Sequence, residues 1–292
     1  MSKTAFVIFS YLDCKLFLPQ TLASLSKQSD QDFDVIIFND GLEDLDVICQ
    51  DFLNKTPYIK PISGNIEAIR SNGLSQMKKS GYENIIFGDA DDVFSTNRIE
   101  VSKKLLTKYD VAVNDLDICN EKLTQTIPKY FRNRIASDTI LNAKAIHKSN
   151  CIGFTNSALR AEVIPELEFA QNLIAIDWAF FTFILRGKSR AYFTSRTSTK
   201  YRIHQKSHYD VTSKDPSTLL FQVNAKQLHY HYLAKYFNEY AQLSEEFLDL
   251  QQKLKDLAFY ESYKREMMAL QTEFPFWWEG AKLVNEETNP CG

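Results

Sequence analysis

Glycine is scarce in this chain, at nine of 292 residues, and proline scarcer still at eight. Neither GxGxxG nor GxxxxGK[ST] occurs, and the first apolar run leads straight into "SYLDCKLF" without a glycine. Dinucleotide turns and basic phosphate loops use such glycines to bring backbone close to phosphate. A dehydrogenase is therefore disfavoured, and a nucleotidyltransferase lacks its expected loop. Cysteine is sparse too: Cys14, Cys49, Cys119, Cys151 and Cys291 are odd in number and far apart, with no CxxC pair. They read as small buried apolar groups in a reducing compartment. Long apolar runs are missing. "WAFFTFIL" falls well short of the roughly 18 residues of a membrane span, and the start "MSKTAFVIFSYLDCK" is too short and mixed for a signal peptide. A cytoplasmic protein is expected, with peripheral membrane contact as the most a bilayer would see of it. No basic block exists either: 34 Lys and Arg face 37 Asp and Glu, a net charge of -3, which excludes nucleic acid as a partner.

What is present is a large apolar fraction, 44% of the residues, enough for a substantial core. "TAFVIFS" (4–10) and "FDVIIF" (33–38) are near-continuous β-branched and aromatic runs, the pattern of strands buried on both faces of a parallel sheet. Leu18, Leu22 and Leu25 between them keep helical spacing, with Pro19 tolerable in a first turn. A helix over about 43–54, a strand at "YIKPIS", a helix over about 66–80 stopped by Gly81 and the strand "NIIFG" continue the alternation. The pattern predicts a doubly wound α/β sheet flanked by helices, whose ligands sit at the carboxyl ends of the strands.

Beyond residue 95 the spacing predicts a helix over 95–108, a strand at "DVAVND", a polar connection to about 150, a helix over 178–186 and strands at "RAYFTS" and "TKYRIH". From about 216 the chain turns helical. One stripe carries Leu220, Val223, Leu228, Leu233, Phe237 and Tyr240; a second carries Leu243, Phe247, Leu250, Leu254 and Leu257 at spacing that suits either a coiled-coil seam or packing on the main domain. The division expected is a main domain over 1–215, with a nucleotide-binding half over about 1–115 and an acceptor half over 116–215, followed by a helical extension over 216–292. The extension's aromatic stretches also allow self-association or peripheral membrane contact through Trp277 and Trp278, although "YFNEYAQLSEEFLDL" is acidic.

"GDADDVF" (88–94) sets Asp89, Asp91 and Asp92 within four positions behind an apolar run. Carboxylates that close repel one another unless a cation or strong donors compensate. A hard divalent cation such as Mg2+ or Mn2+ takes oxygen ligands and leaves positions for substrate phosphates. A cap on the following helix accounts for the cluster equally well.

"FVIFSYLDCKLFLPQTLASLSKQSDQDFDVIIFNDG", "NIEAIRSNGL" and "NIIFGDADDVFSTNRIE", in that order and spacing, resemble the nucleotide-binding half of a family 2 glycosyltransferase of GT-A fold; the likeness runs over about 3–210. The resemblance implies a metal-dependent enzyme that moves a sugar from a nucleoside diphosphate sugar, UDP by default, to a saccharide or other hydroxyl acceptor with inversion, in polysaccharide or glycoconjugate synthesis. It places Ser10 and Tyr11 at the nucleotide base, Asp40 as acceptor of a base N–H, and Arg70, with Asn72 beside it, at the diphosphate. It makes Asp92 the direct metal ligand, Asp91 a ribose or metal contact, and Asp89 their support.

In the second half, "NCIGFTNSALRAEVI" resembles the family's acceptor segment, and "IAIDWAFF" falls where the family has a Glu-Asp pair whose Asp is the general base. Asp177 matches that Asp, while Ile176 replaces the Glu, so acceptor orientation is in question. Asp177 equally suits a helix cap. His204 in "YRIHQKSH" matches a histidine that in some relatives contacts metal or diphosphate, and a structural role fits it as well. Two further readings stay open: a catalytically silent nucleotide-sugar-binding or scaffold protein, which Ile176 favours, and nucleotidyl transfer.

Overall fold

The computed structural model describes residues 3–204, 216–270 and 276–283. Four parallel strands form its first half: β1 (Thr4–Tyr11), β2 (Asp34–Asp40), β3 (Tyr58–Pro61) and β4 (Asn84–Asp89), in the order β3-β2-β1-β4. Their continuous apolar runs are explained by burial on both faces. Ala5, Val7 and Phe9 of β1, with Ile36 and Phe38 of β2, enter one core; Phe6 and Ile8, with Val35 and Ile37, enter another on the opposite side. Helices α1 (Leu18–Ser26), α2 (Leu45–Phe52) and α3 (Ile66–Lys78) are the crossovers. Asn65 caps α3 by accepting from the Ala68 N–H at 2.9 Å, and Gly81 follows it at φ +84°, a conformation that favours glycine.

The short strand β5 (Val93–Phe94) and helix α4 (Arg98–Leu106) lead into β6 (Val111–Cys119). The polar connection to 150 contains β7 (Gln125–Ile127) and β8 (Thr139–Leu141). Strand β9 (Ser157–Arg160) runs antiparallel between β4 and β6 and interrupts the parallel order. Helix α5 (Ile176–Arg186) begins two residues before the expected start at Trp178. "RAYFTS" and "TKYRIH" are not two strands but one, β10 (Ala191–Arg202), whose pairing with β6 shifts register between Thr194 and Ser198. A bulge of that kind lets a single strand bend where the sequence reads as a break.

Helices α6 (Pro216–Ala234), α7 (Ala241–Lys253), α8 (Leu257–Leu270) and α9 (Trp277–Gly280) complete the described fold. Val223, Tyr230, Leu233, Tyr240, Phe247 and Leu250 belong to the same core as Phe154 and Trp178, so the second stripe packs on the main domain. Two members of the stripes are misplaced: Leu220 is 46% exposed and Leu257 75%. The second case follows from the chain turning between α7 and α8, which breaks the heptad before Leu257. Cys14, Cys49, Cys119 and Cys151 are buried, as read; Cys291 lies outside the described residues. Among the described residues no helix is long and apolar enough to cross a membrane.

One glycine of β4 sets a limit on packing beneath the acidic cluster. A Cβ on Gly88 would stand 2.4 Å from Phe94 Cζ and 2.6 Å from Phe6 Cζ, inside a ring pair whose centroids are 4.9 Å apart. Gly88→Ala is expected to cost about 1–3 kcal/mol of unfolding free energy through overpacking, read from a lowered urea midpoint at unchanged m-value.

Candidate active site

Strand register assembles the site. Tyr11 of β1 pairs with Asp40 of β2, and Phe9 with Asp89 of β4, so residues far apart in sequence leave the sheet at one edge. A cavity of about 400 Å³ opens there. Ser10, Tyr11, Asp40, Arg70, Asp89 and Asp91 line it, joined by Tyr201 and Arg202 at the end of β10. Six of the expected residues are thus brought together. Ser10 turns its hydroxyl inward, donating to Asn39 Oδ1 at 3.1 Å, and Asn39 also accepts the Leu42 N–H to close the turn at Gly41.

Arg70 lies between two aromatic faces, its guanidinium carbon 4.2 Å from the Phe9 centroid and 5.1 Å from that of Phe154. Its Nη2 is 3.8 Å from Asp89 Oδ1. Burial lowers the Arg70 pKa while Asp89, Asp177 and Asp91 oppose the shift. Burial pushes the Asp89 carboxyl up to about 6; Arg70 pulls it down, and Asp91 and Asp177 push it further up. Asn72 is not part of this site. It is exposed on the far side of α3, accepts from Gln76 Nε2 at 2.9 Å and faces a separate surface groove.

The three carboxylates of "DADD" occupy different environments. Asp91 Oδ2 accepts from the Tyr11 hydroxyl at 3.2 Å and lies 3.0 Å from His204 Nε2, whose ring rests 4.4 Å from that of Phe17. His204 is therefore in contact with the site through Asp91. Asp92, expected as the direct metal ligand, does not line the cavity. It is 1% exposed, with Oδ2 accepting from the Thr155 hydroxyl and Oδ1 from the Arg202 N–H at 2.8 Å. Burial, then Asp91 and Asp89, push its pKa well up. Asp89, expected to support the others, faces the cavity together with Asp91.

A second cavity of about 150 Å³ adjoins the first and shares Asp89 and Tyr201 with it. Asp177 lies on its wall. Its Oδ1 accepts the Trp178 N–H at 2.7 Å and its Oδ2 accepts from Asn150 Nδ2 at 3.3 Å. A Cβ on Gly153 would stand 3.2 Å from that Oδ2, so the glycine makes room for the carboxylate. Burial pushes Asp177 up to about 6 against the lowering effects of the Trp178 N–H and Arg70. Because α5 starts at Ile176, Asp177 occupies the helix's first turn, where a carboxylate also complements the helix dipole. Ile176 itself is 4% exposed and belongs to the core, so no side chain at 176 reaches into the pocket.

Several contributors escaped the sequence reading. Arg98 reads as an ordinary helix arginine, yet it is wholly buried behind the acidic cluster, donating to the Phe87 carbonyl at 2.7 Å and to Thr199 Oγ1 at 2.9 Å. Burial lowers its pKa to about 9, and Asp92 and Asp89 oppose that, so it stays cationic at neutral pH. Arg202 anchors the neighbouring loop through Nε to the Asp91 carbonyl at 2.7 Å. Tyr201 had a usable signal, since it directly precedes Arg202 in the "YR" of the segment that flagged His204.

The family model for glycosyl transferase family 2 matches residues 6–167. No curated protein matches the chain by sequence. Its fold is similar to that of the crystal structure of S. aureus TarS 1–349 in complex with UDP-GlcNAc, with TM-score 0.60 and 15% identity over 93% of this chain and 76% of the other. It is similar also to the crystal structure of GalNAc-T7 with UDP, GalNAc and Mn2+, with TM-score 0.54 and 12% identity over 94% and 58%. At these identities the likeness speaks for the fold. The sequence match spans more than half the chain, so the chain belongs to glycosyl transferase family 2.

Proposed function

We propose that the protein transfers a sugar from a nucleoside diphosphate sugar to an acceptor hydroxyl, with a divalent cation, and with inversion at the anomeric carbon. The observation that carries this reading is a pair of neighbouring cavities that share Asp89 and Tyr201, with Tyr11, Asp40, Arg70 and Asp91 in the first and Asp177 in the second. Tyr11 offers a stacking face to the base and Asp40 an acceptor for its N–H. Arg70, held between two rings, presents a fixed guanidinium to the diphosphate oxygens. TarS and GalNAc-T7, whose structures hold UDP-GlcNAc and UDP respectively, support a nucleotide as the donor's handle.

The residues present fit a divalent cation. Asp89 and Asp91 crowd one edge of the cavity, with His204 beside Asp91, and carboxylate oxygens are donors suited to Mn2+ or Mg2+. Among the described residues no three His, Cys, Asp or Glu side chains are grouped so as to hold an ion, so substrate phosphates and water would have to supply its other ligands. Asp91 and Asp89 would hold it, with His204 fixing Asp91 from beside it, and its charge would stabilise the departing diphosphate. Asp92, Thr155 and Arg98 keep the edge in place from behind.

Asp177 takes the proton. As the acceptor oxygen bonds to the anomeric carbon and the carbon–oxygen bond to the diphosphate breaks, its O–H proton passes to the Asp177 carboxylate. Asn150, not residue 176, orients that carboxylate. Polysaccharide or glycoconjugate synthesis is the setting that the family favours.

A thermal-shift screen of nucleoside diphosphate sugars with and without Mn2+ tests the reading. Saturation at about a hundred times Kd adds roughly 2.7 kcal/mol of stability, and the gain is expected to grow with the metal. No metal-dependent shift with any donor would overturn it. Binding without turnover across a broad acceptor panel would identify a catalytically silent binding protein instead.

A further inference from the structure

Part of the Asp177 pocket is built from a segment far along the chain. Phe276 and Trp278 line it together with Asp89, Asn150 and Asp177. Phe276 is 1% exposed, meets Tyr201 edge-on at 5.3 Å and lies parallel to Trp278, with centroids 4.4 Å apart and ring planes 9° apart. The strap that carries these rings, Phe276 to Leu283, is tied down at three points. Glu279 accepts from the Tyr130 hydroxyl and pairs with Arg134, the Ala281 carbonyl accepts from Lys226 Nζ at 2.7 Å, and the Lys282 carbonyl accepts from the Tyr263 hydroxyl at 2.7 Å. Burial raises the pKa of Glu279 and Arg134 opposes it, so the anchor is a desolvated ion pair. Removing one partner of such a pair is costly, which holds the strap in its seat.

The lining restricts what can enter. Among the described residues two carboxylates and no Lys, Arg or His line this cavity, and the nearby Arg70 is already paired with Asp89, so a neutral ligand is favoured over a phosphate or carboxylate group. Its volume of about 150 Å³ is below the roughly 300–1,000 Å³ of pockets that take drug-sized ligands. An apolar aromatic wall facing carboxylate and amide acceptors and donors matches a small neutral molecule with one apolar face and a rim of hydroxyls. A pyranose ring has that shape. Its C–H face would cover an aromatic ring while its hydroxyls reach Asn150, Asp89 and Asp177.

We propose that the C-terminal strap, through Phe276 and Trp278, supplies the apolar wall of a subsite for one neutral sugar ring, either the ring being transferred or the terminal ring of the acceptor. The inference rests on the sugar-transfer reading above and assigns the extension a share in substrate specificity.

The test uses the full chain with three probes: UDP, UDP-GlcNAc or UDP-glucose, and methyl glycosides titrated with UDP present, each followed by calorimetry. Trp278→Ala is expected to lose at least tenfold in affinity for the sugar-bearing probes while binding UDP like the wild type. Trp278→Phe, which keeps a ring, is expected to recover most of the loss, and this rescue separates stacking from misfolding. A loss confined to UDP-sugars assigns the subsite to the transferred ring, and one confined to methyl glycosides to the acceptor. Unchanged sugar affinity in Trp278→Ala overturns the inference, as does a wild type that binds UDP but gains nothing from any sugar. A wild type that does not bind UDP, with sugar affinity still dependent on Trp278, sinks the nucleotide reading and leaves the sugar subsite standing.

Discussion

Asp177→Asn is expected to abolish transfer, lowering kcat by at least about 100-fold, the usual contribution of a positioned general base. The amide keeps one oxygen to accept the Trp178 N–H or the Asn150 amide, so the fold should survive, and an unchanged circular-dichroism spectrum will show it. In the wild type the base must be ionised. With Asp177 pushed up to about 6, kcat/KM should rise with pH toward about 6 and level above it. Asp89, also near 6, shares that acid limb, and the profile reports the two as a pair. The same shift affects stability with a definite sign. A carboxylate raised above its ordinary value near 3.8 makes the native state bind more protons than the unfolded chain between about pH 4 and 6. Wild-type stability therefore falls relative to the Asn variant as pH rises through that window, and the comparison should shift in favour of the wild type as pH drops from about 6 to about 4, with no further change below. Full activity in the purified variant would remove Asp177 from the mechanism.

The second large effect separates two adjacent aspartates. Asp91→Asn is expected to erase the Mn2+-dependent part of the thermal shift given by a nucleoside diphosphate, because Asp91 faces the cavity and touches both Tyr11 and His204. Asp92→Asn is expected to keep the metal dependence and lower the melting temperature. Its two oxygens accept from Thr155 and the Arg202 backbone in a site closed to solvent, and an amide can accept through only one of them. The unpaired group left behind costs about 1–3 kcal/mol. Loss of metal response in Asp92→Asn with an intact fold would restore Asp92 as the ligand and reverse the assignment.

Much of the first half was legible in the chain. Continuous runs such as "AFVIF" and "DVIIF" have no polar face, which only strands covered on both sides tolerate, and the helical spacing between them leaves a parallel crossover as the simple solution. The second half was less legible because its strands are short or bent. The register shift in β10 and the antiparallel β9 depend on partners that no local pattern announces. Asn72 shows the limit within a well-read helix: two residues beyond Arg70 is more than half a turn, so the two side chains diverge.

By itself the sequence determined the alternating α/β half, the strand ends that carry Tyr11, Asp40 and the acidic cluster, and the family to which they belong, since each is a matter of local periodicity and order. Tertiary structure decided which carboxylate does what. Asp89, Asp91 and Asp92 are equivalent as letters, but a turn after β4 sends Asp92 under Thr155 and Arg202 and leaves Asp89 and Asp91 at the cavity. It also brought Phe276 and Trp278 to the same cavity as Asp177 across about a hundred residues of chain, a placement set by packing on a shared core and not by any pattern along the chain.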